Sequence, residues 1–414
     1  MSVAFTSIKG LTFYDTQRAF NGFTLITPVE GSGVWLIDMY GRVVHQWRLG
    51  RRPAWQAELL PNGHLLCHVR VEDNPLGLLE GAGGALLELD WNGNKVWERK
   101  DPYLHHGFFR MENGNTLVIK WTKVPEEIAR KVKTEGTDSI SLGWGVRRKG
   151  PMWGDAIQEI TPEGKVVWEW IGHEHLDPEA DVTCPVCPPN EWTHATSVAE
   201  MPDGSVMASF MESNLVVIID KGSGDIKWRF GRRVLEHQHF ATVLDNGNLL
   251  VFDNDLHSFA PRSDSRVLEL DPTVVNPTLE RMYFRFGAQS NAIVWVYPPD
   301  ERRILGRFFS STLASCQRLP NGNTLICEGT WGRVFEVNPR GEHIWEFVNY
   351  LPSYETSPTK SQPCMLYSAF RYGVEYSGLE RDNPLPVKRQ AAPGTLAMKK
   401  VADISARRLT ALGY

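Results

Sequence analysis

The chain has 414 residues, a formal charge of -5 and a sequence pI near 6.2, with no basic stripe. Nucleic acid is thereby excluded as the main partner, because phosphate binding needs clustered Lys and Arg. Hydrophobic residues at 42% and charged residues at 22% exclude a disordered chain and supply a large core, which one long all-β unit or two to three ordinary domains would use.

The first residues, "MSVAFTSIKGLTFYDTQRAFNG", lack the charged-then-apolar order of a secretory signal. No later run approaches the roughly 20 apolar residues of a membrane span. A cytoplasmic location and no membrane partner are therefore expected. The six cysteines, at 67, 184, 187, 316, 327 and 364, are scattered through a chain large enough to need no disulfide staples.

The first strand of interest is "GFTLITP" (22 to 28), which has no local partner. Six segments follow with one pattern of strand, turn and strand ending in an aromatic. They are "GVWLIDMYGRVVHQW" (33 to 47), "GALLELDWNGNKVWE" (84 to 98), "GDAIQEITPEGKVVWEW" (154 to 170), "NLVVIIDKGSGDIKWRF" (214 to 230), "SRVLELDPTVVNPTLERMYFRF" (265 to 286) and "GRVFEVNPRGEHIWEF" (332 to 347). Short runs rich in β-branched residues and bounded by Gly, Asn, Asp or Pro read as hairpins rather than helices. Trp47, Trp97, Trp168, Trp228, Tyr283 and Trp345 fall at equivalent places, where large rings would fill gaps between neighbouring sheets.

Between these hairpins a second block recurs: "ELLPNGHLLCH", "FRMENGNTLVI", "AEMPDGSVMAS", "TVLDNGNLLVF" and "QRLPNGNTLIC". Its Asn-Gly and Asp-Gly pairs suit a turn needing positive φ. Four strands per repeat, at spacings of 51 to 70 residues, predict propeller blades. The last repeat lacks a following Asn-Gly block, and the chain instead reaches "CMLYSAFRYGVEY" (364 to 376). The fold class is thus all-β: a six-bladed β-propeller over residues 1 to 380, with its last blade closed by N- and C-terminal strands so that no long sheet edge stays open. An insertion at about 121 to 153, helical over "KVPEEIARKVK" (123 to 133), would cover one mouth of the channel. Residues 381 to 414 form a C-terminal extension with no assigned role.

Histidines cluster in register with the central turns. His106 is eight residues before Gly114, His239 eight before Gly247, His237 ten before Gly247 and His194 ten before Gly204. These even offsets put them on corresponding faces of inner strands, because a strand's side chains alternate with a period of two. Equivalent positions elsewhere hold Trp55, Ala314 and Thr312, so the fold does not require histidine there. His105 and Gln238 have the opposite parity and should face elsewhere. Inner strands line a propeller's channel, so His106, His194 and His239 would converge near its mouth. Single buried histidines are usually hydrogen-bonded packing residues, but three in matching register point to a site.

The blocks "EWTHATSVAEMPDGSVMASF" and "EHQHFATVLDNGNLLVFDND", flanked by "HHGFFRMENGNTL", "SRVLELD" and "SCQRLPNGNTL" and closed by "AFRYGVEYSGL", resemble the arylsulfate sulfotransferase family from about 20 to 380. The resemblance implies a six-bladed propeller in which a channel histidine takes a sulfuryl group from an aryl sulfate and passes it to a phenol. By motif His239 would be the nucleophile. His106 and His194 would hold sulfate oxygens and the phenol, with Arg266, Arg318, His237 and Trp55 as substrate-binding candidates. No cofactor is implied, and the partner would be a small aromatic molecule. A neutral imidazole is a good nucleophile near pH 7, and donors around the sulfuryl oxygens would stabilise their charge. The chain departs from the family pattern in two places. Phe210 and Met211 stand where an Arg is expected, and Thr196 replaces Asn in "HATS".

Other readings use the same residues. His106, His194 and His239 plus a water match an open site for zinc or a similar divalent metal, able to drive hydrolysis or elimination. A second zinc candidate lies in "GHEHLDPEADVTCPVCPPNEWTH", through His173, His175, Cys184, Cys187 and His194, although its spacing lacks two paired half-sites. Asp253 and Asp255 are too few for a calcium cage and suit a turn, while Asp253 or His257 would serve to orient a channel histidine. A serine triad finds no Gly-x-Ser-x-Gly elbow. A propeller scaffold that binds protein would need no channel histidines.

Overall fold

The computed structural model describes residues 9–29, 31, 33–72, 74–77, 79, 81–134, 150–231, 234–256, 264–278, 290–299, 307–351 and 365–380. In chain order, β1 (Gly10–Tyr14), β2 (Gly22–Pro28), β3 (Gly33–Ile37) and β4 (Val43–Arg48) precede the first complete blade. That blade consists of β5 (Pro53–Leu59), β6 (Leu65–Arg70), β7 (Gly84–Leu89) and β8 (Lys95–Lys100). The second holds β9 (Leu104–Arg110), β10 (Thr116–Lys123), β11 (Trp153–Ile160) and β12 (Val166–Ile171), and the third β13 (Ala195–Glu200), β14 (Val206–Phe210), β15 (Leu215–Ile219) and β16 (Ile226–Gly231). The fourth holds β17 (Phe240–Val243), β18 (Leu249–Asp253), β19 (Arg266–Leu270) and β20 (Ile293–Tyr297). The fifth holds β21 (Ala314–Arg318), β22 (Thr324–Glu328), β23 (Arg333–Val337) and β24 (His343–Val348), to whose outer edge β1 adds a fifth strand.

In the sixth blade β25 (Leu366–Gly373) pairs antiparallel with β2, giving the order β25-β2-β3-β4. The C-terminal strand is therefore the innermost strand of a blade whose other three strands come from the N-terminus, as the sequence predicts. Inner strands touch in the cycle β5, β9, β13, β17, β21, β25 and back to β5. The ring is closed, so six half-apolar sheets bury both faces against neighbours.

Local chemistry explains the repetition. In each of five turns an Asn or Asp accepts a bond from the backbone N–H two residues on: His64 to Asn62, Asn115 to Asn113, Ser205 to Asp203, Asn248 to Asn246 and Asn323 to Asn321. The glycine between them takes φ between 80° and 86° in every case, which is why Asn-Gly or Asp-Gly recurs.

The outer-strand tryptophans reach across to the next blade. Trp47 donates to the Asp90 carbonyl, Trp168 to Lys221, Trp228 to Val274, Trp295 to Pro339 and Trp345 to Met39. The fifth repeat thus departs from expectation. Its outer strand is 293–297 and its aromatic is Trp295, while Tyr283 lies outside the described residues. In the first blade Arg99 makes the equivalent bridge, to the Gly164 carbonyl.

Over 123–133 the insertion after β10 is less helical than its sequence suggests, with the single turn α1 (Glu126–Ala129) among the described residues. Ala129 and Val132 enter a core cluster with Trp170 and Trp192, and Lys133 bonds with Pro178 and Thr183. Residues 135–149, which would carry any cover over the channel, and the extension 381–414 lie outside the described residues. No described helix is long and apolar enough to cross a membrane.

Candidate active site

Strand β9 and the residues just before β13 and β17 bring three histidines together. His106 and His194 are joined by a 3.1 Å hydrogen bond between their Nε2 atoms, and the His106 and His239 ring centres lie 6.1 Å apart. Trp55 stacks on His106 at 4.2 Å and leans against His239 at 5.1 Å and Tyr367 at 4.7 Å. His106, His194, His239 and Trp55, which share an even offset from their turns, thus lie together, all of them buried.

Parity fails at His105, because the chain bulges there, and at His237, which shares the even offset but turns toward Cys187. Val118 pairs with Phe108 but Lys120 pairs with Leu104, so β9 carries extra residues at His105 and His106. His106 takes φ 52° there, and His194 takes φ 54° beside the irregular start of β13. The bulge keeps His105 in the cluster. Its Nδ1 bonds His106 Nδ1 at 2.7 Å, its ring stacks on Trp121 at 3.8 Å, and its Nε2 lies 2.9 Å from Asp155 Oδ1. Gln238 does face away, donating to the carbonyls of Phe210 and Leu215.

A buried chain of groups results: Glu191, His194, His106, His105 and Asp155. Glu191 is bonded to His194 Nδ1. Asp155 also receives Thr193 Oγ1 and the Ala195 N–H, so one carboxylate fixes both His105 and the segment carrying His194. Three neutral imidazoles carry three ring protons for the chain's four contacts. The contact between His105 Nε2 and Asp155 Oδ1, which lacks hydrogen-bond geometry, is where a fourth proton would complete it.

His239 differs from its neighbours. Its backbone N–H is held by Asn254 Oδ1 at 2.9 Å, and Asn254 is anchored on the Ser310 carbonyl. Among the described residues neither ring nitrogen of His239 has a hydrogen-bond partner, and neither does Trp55 Nε1 beside it. Burial, with His194 and His237 adding to it, pushes the His239 pKa down to about 3, and burial with the adjacent imidazoles holds His106 well below the usual histidine range. Both rings are neutral at pH 7.

The remaining candidates sit elsewhere. His237, with φ 58°, turns its Nε2 to 3.7 Å from Cys187 Sγ. Burial opposes its charge, but Cys184 and Glu212 outweigh that and raise its pKa. Arg266 is buried against Asp253 at 2.5 Å and the Val234 carbonyl at 2.6 Å; with the Glu236 N–H on Asp253, it braces the segment that carries His239. Asp253 therefore acts on the backbone rather than on a histidine ring, and His257 is outside the described residues. Arg318 pairs with Glu269 and lies over Trp295.

Phe210 and Met211 are buried, and Thr196 packs between Ser209 and Gln238. Among the described residues Arg70 is a cation near the cluster that sequence reading misses. It donates to the Tyr367 hydroxyl at 3.0 Å, and the Tyr367 ring rests on Trp55. Of the loop candidates, His175 stacks on Trp170 and His173 is half-buried.

A family model described as arylsulfotransferase (ASST) matches residues 56–350, which is more than half of the chain. The chain belongs to the arylsulfotransferase family. Among solved structures, a protein of unknown function from Bacteroides caccae is 14% identical, with a TM-score of 0.50 over 85% of this chain and 98% of its own. A streptogramin B lyase is 11% identical, with a TM-score of 0.43 over 83% of this chain and 84% of its own. At 14% identity the first likeness bears on the fold alone. No curated protein matches this arylsulfotransferase-family chain.

Proposed function

We propose that this propeller transfers a sulfuryl group from an aryl sulfate to a phenol through His239. One observation carries the reading: both His239 nitrogens and Trp55 Nε1 are buried side by side without partners, inside a cluster whose other imidazoles are bonded to one another. Buried polar atoms normally find partners, so three orphans at one spot mark the place of a polar ligand.

In the first step a His239 nitrogen attacks sulfur, an N–S bond forms, and the S–O bond to the aryl group breaks. The aryloxide leaves with that bond's electron pair and takes the proton of the other His239 ring nitrogen, made acidic by the new N–S bond. In the second step a phenol oxygen attacks sulfur and the N–S bond breaks. The electron pair returns to His239, and the phenolic proton returns to its other ring nitrogen, leaving the imidazole neutral as it began. Trp55 and Tyr367 supply ring faces for the aryl group, and Trp55 Nε1 supplies a donor for a sulfuryl oxygen.

The test is to incubate the protein with 4-nitrophenyl sulfate and follow nitrophenol release and intact mass. A burst of nitrophenol with a sulfuryl adduct mapped to His239, discharged by added phenol, is the expected result. His239→Ala should lose the adduct and lower turnover by about 10³-fold or more. No release and no adduct from folded wild-type protein would overturn the reading.

A further inference from the structure

Beside the histidine chain, four buried groups from three segments meet. Cys184 and Cys187 come from the loop between β12 and β13, Glu212 from the turn after β14, and His237 from the segment before β17. One ligand atom from each lies within 4.8 Å of all the others, the only such group of three or more His, Cys, Asp or Glu among the described residues. A tetrahedral zinc ion with Zn–S near 2.3 Å and Zn–N or Zn–O near 2.0–2.1 Å would set its ligand atoms about 3.3–3.8 Å apart. Cys187 Sγ and His237 Nε2 already stand 3.7 Å apart.

The surroundings are built for this meeting. Cys184 Sγ lies 3.5 Å from the Val186 N–H, two residues on within Cys-Pro-Val-Cys, so a backbone donor faces the sulfur and favours its thiolate. The Cys184 N–H donates to the Glu212 carbonyl at 3.1 Å. The carboxylate Oε2 of Glu212, itself only 5% exposed, has no hydrogen-bond partner among the described residues. His237 and Asn214 both hold left-handed backbone conformations, φ 58° and 49°, with the His237 N–H bonded to Asn214 Oδ1 at 2.7 Å. Such strain on two non-glycine residues in contact persists only where the surroundings over-determine it. A buried carboxylate, an imidazole and two thiols with no cation would be a poor arrangement energetically; a divalent ion makes it a good one.

We propose that Cys184, Cys187, Glu212 and His237 bind one zinc ion. All four positions of the tetrahedron are filled by protein, so the site is structural and leaves no place for substrate. It ties the loop that ends in His194 to the segment that carries His239, two residues beyond His237. The expected loop ligands His173, His175 and His194 are not part of it.

The experiment uses the full chain, purified with a reductant, loaded with zinc chloride or cobalt chloride and desalted. Elemental analysis should find about one zinc per chain, and the cobalt form should show thiolate-to-metal charge transfer with tetrahedral visible bands. Cys187→Ser and His237→Gln should each weaken zinc retention by about tenfold or more, while Cys67→Ser, at a buried thiol in β6, should leave it unchanged. If a variant fails to fold, the wild-type cobalt spectrum still decides. A loaded wild-type chain without zinc, a cobalt spectrum without thiolate bands, or retention unaffected in both variants would overturn the proposal. These readings are independent of whether His239 accepts a sulfuryl group.

Discussion

His106, His194 and His237 all hold φ between 52° and 58°, a region that costs a non-glycine residue about 1–3 kcal/mol. His106 sits in the bulge of β9, and His194 and His237 precede β13 and β17, where regular pairing has not begun. Glycine makes room: Gly81, at φ 76°, faces the His106 ring so closely that an added Cβ would overlap it. Gly81→Ala should destabilise the fold by about 1–3 kcal/mol in urea titration and also lower turnover, because the only relief is to move His106. Glu191→Gln keeps shape at His194 but removes the charge that orients it, and should lower kcat by about 10- to 100-fold with little change in melting temperature. His106, His194 and His239 are legible from register alone. Asp155, Glu191 and Arg70 are not, since each acts through a partner that only a bulge or a loop brings near.

At the scale of the element, each blade is one hairpin motif made twice, and its signals are local. The Asn-Gly side chain fixes its own turn, so five turns can be read from five dipeptides. Four outer-strand aromatics, Trp47, Trp168, Trp228 and Trp345, are legible too, but the partner of each lies on the next blade. Trp345 is fully buried and donates to Met39, joining the last full blade to the chain's beginning. Trp345→Phe keeps most of the ring and leaves that carbonyl unpaired, and should cost about 1–3 kcal/mol in urea unfolding. Trp295 escapes sequence reading because the fifth repeat carries extra residues between its third and fourth strands, which break the spacing that locates the other rings.

At the scale of the molecule, closure depends on one strand. β25 bonds β2 along its length, and across the neighbouring gap Arg371 and Gln317 exchange two bonds, while Tyr376 clasps the Leu59 carbonyl. Ending the chain before Leu366 would expose the edge of β2 and open the ring; concentration-dependent aggregation in light scattering is the expected outcome. Acid should act on the whole fold through its buried rings. Burial pushes the His68 pKa down to about 3, and its Nδ1–H donates to the His106 carbonyl at 2.9 Å. The unfolded chain binds a proton at His68 from about pH 6.5 downward, whereas the folded chain does not. Stability from this ring is therefore complete above pH 6.5 and is lost as the pH falls toward 3, at up to about 1.4 kcal/mol per pH unit. Urea midpoints at pH 7.5 and 5.5 should differ in that direction, and His68→Gln should shrink the difference.

The sequence by itself determined the repeat, the blade count, the closing strand and three of the channel histidines, because each is written in periodicity or in a turn that needs only its own residues. Tertiary structure alone decided that His105 joins the cluster, that Arg266 and Arg318 are bound to acids, and that the two cysteines meet Glu212 and His237 rather than the histidines beside them. These depend on bulges, left-handed residues and contacts between separate blades. The energy that sets them comes from neighbours far away in the chain, and no local pattern carries it.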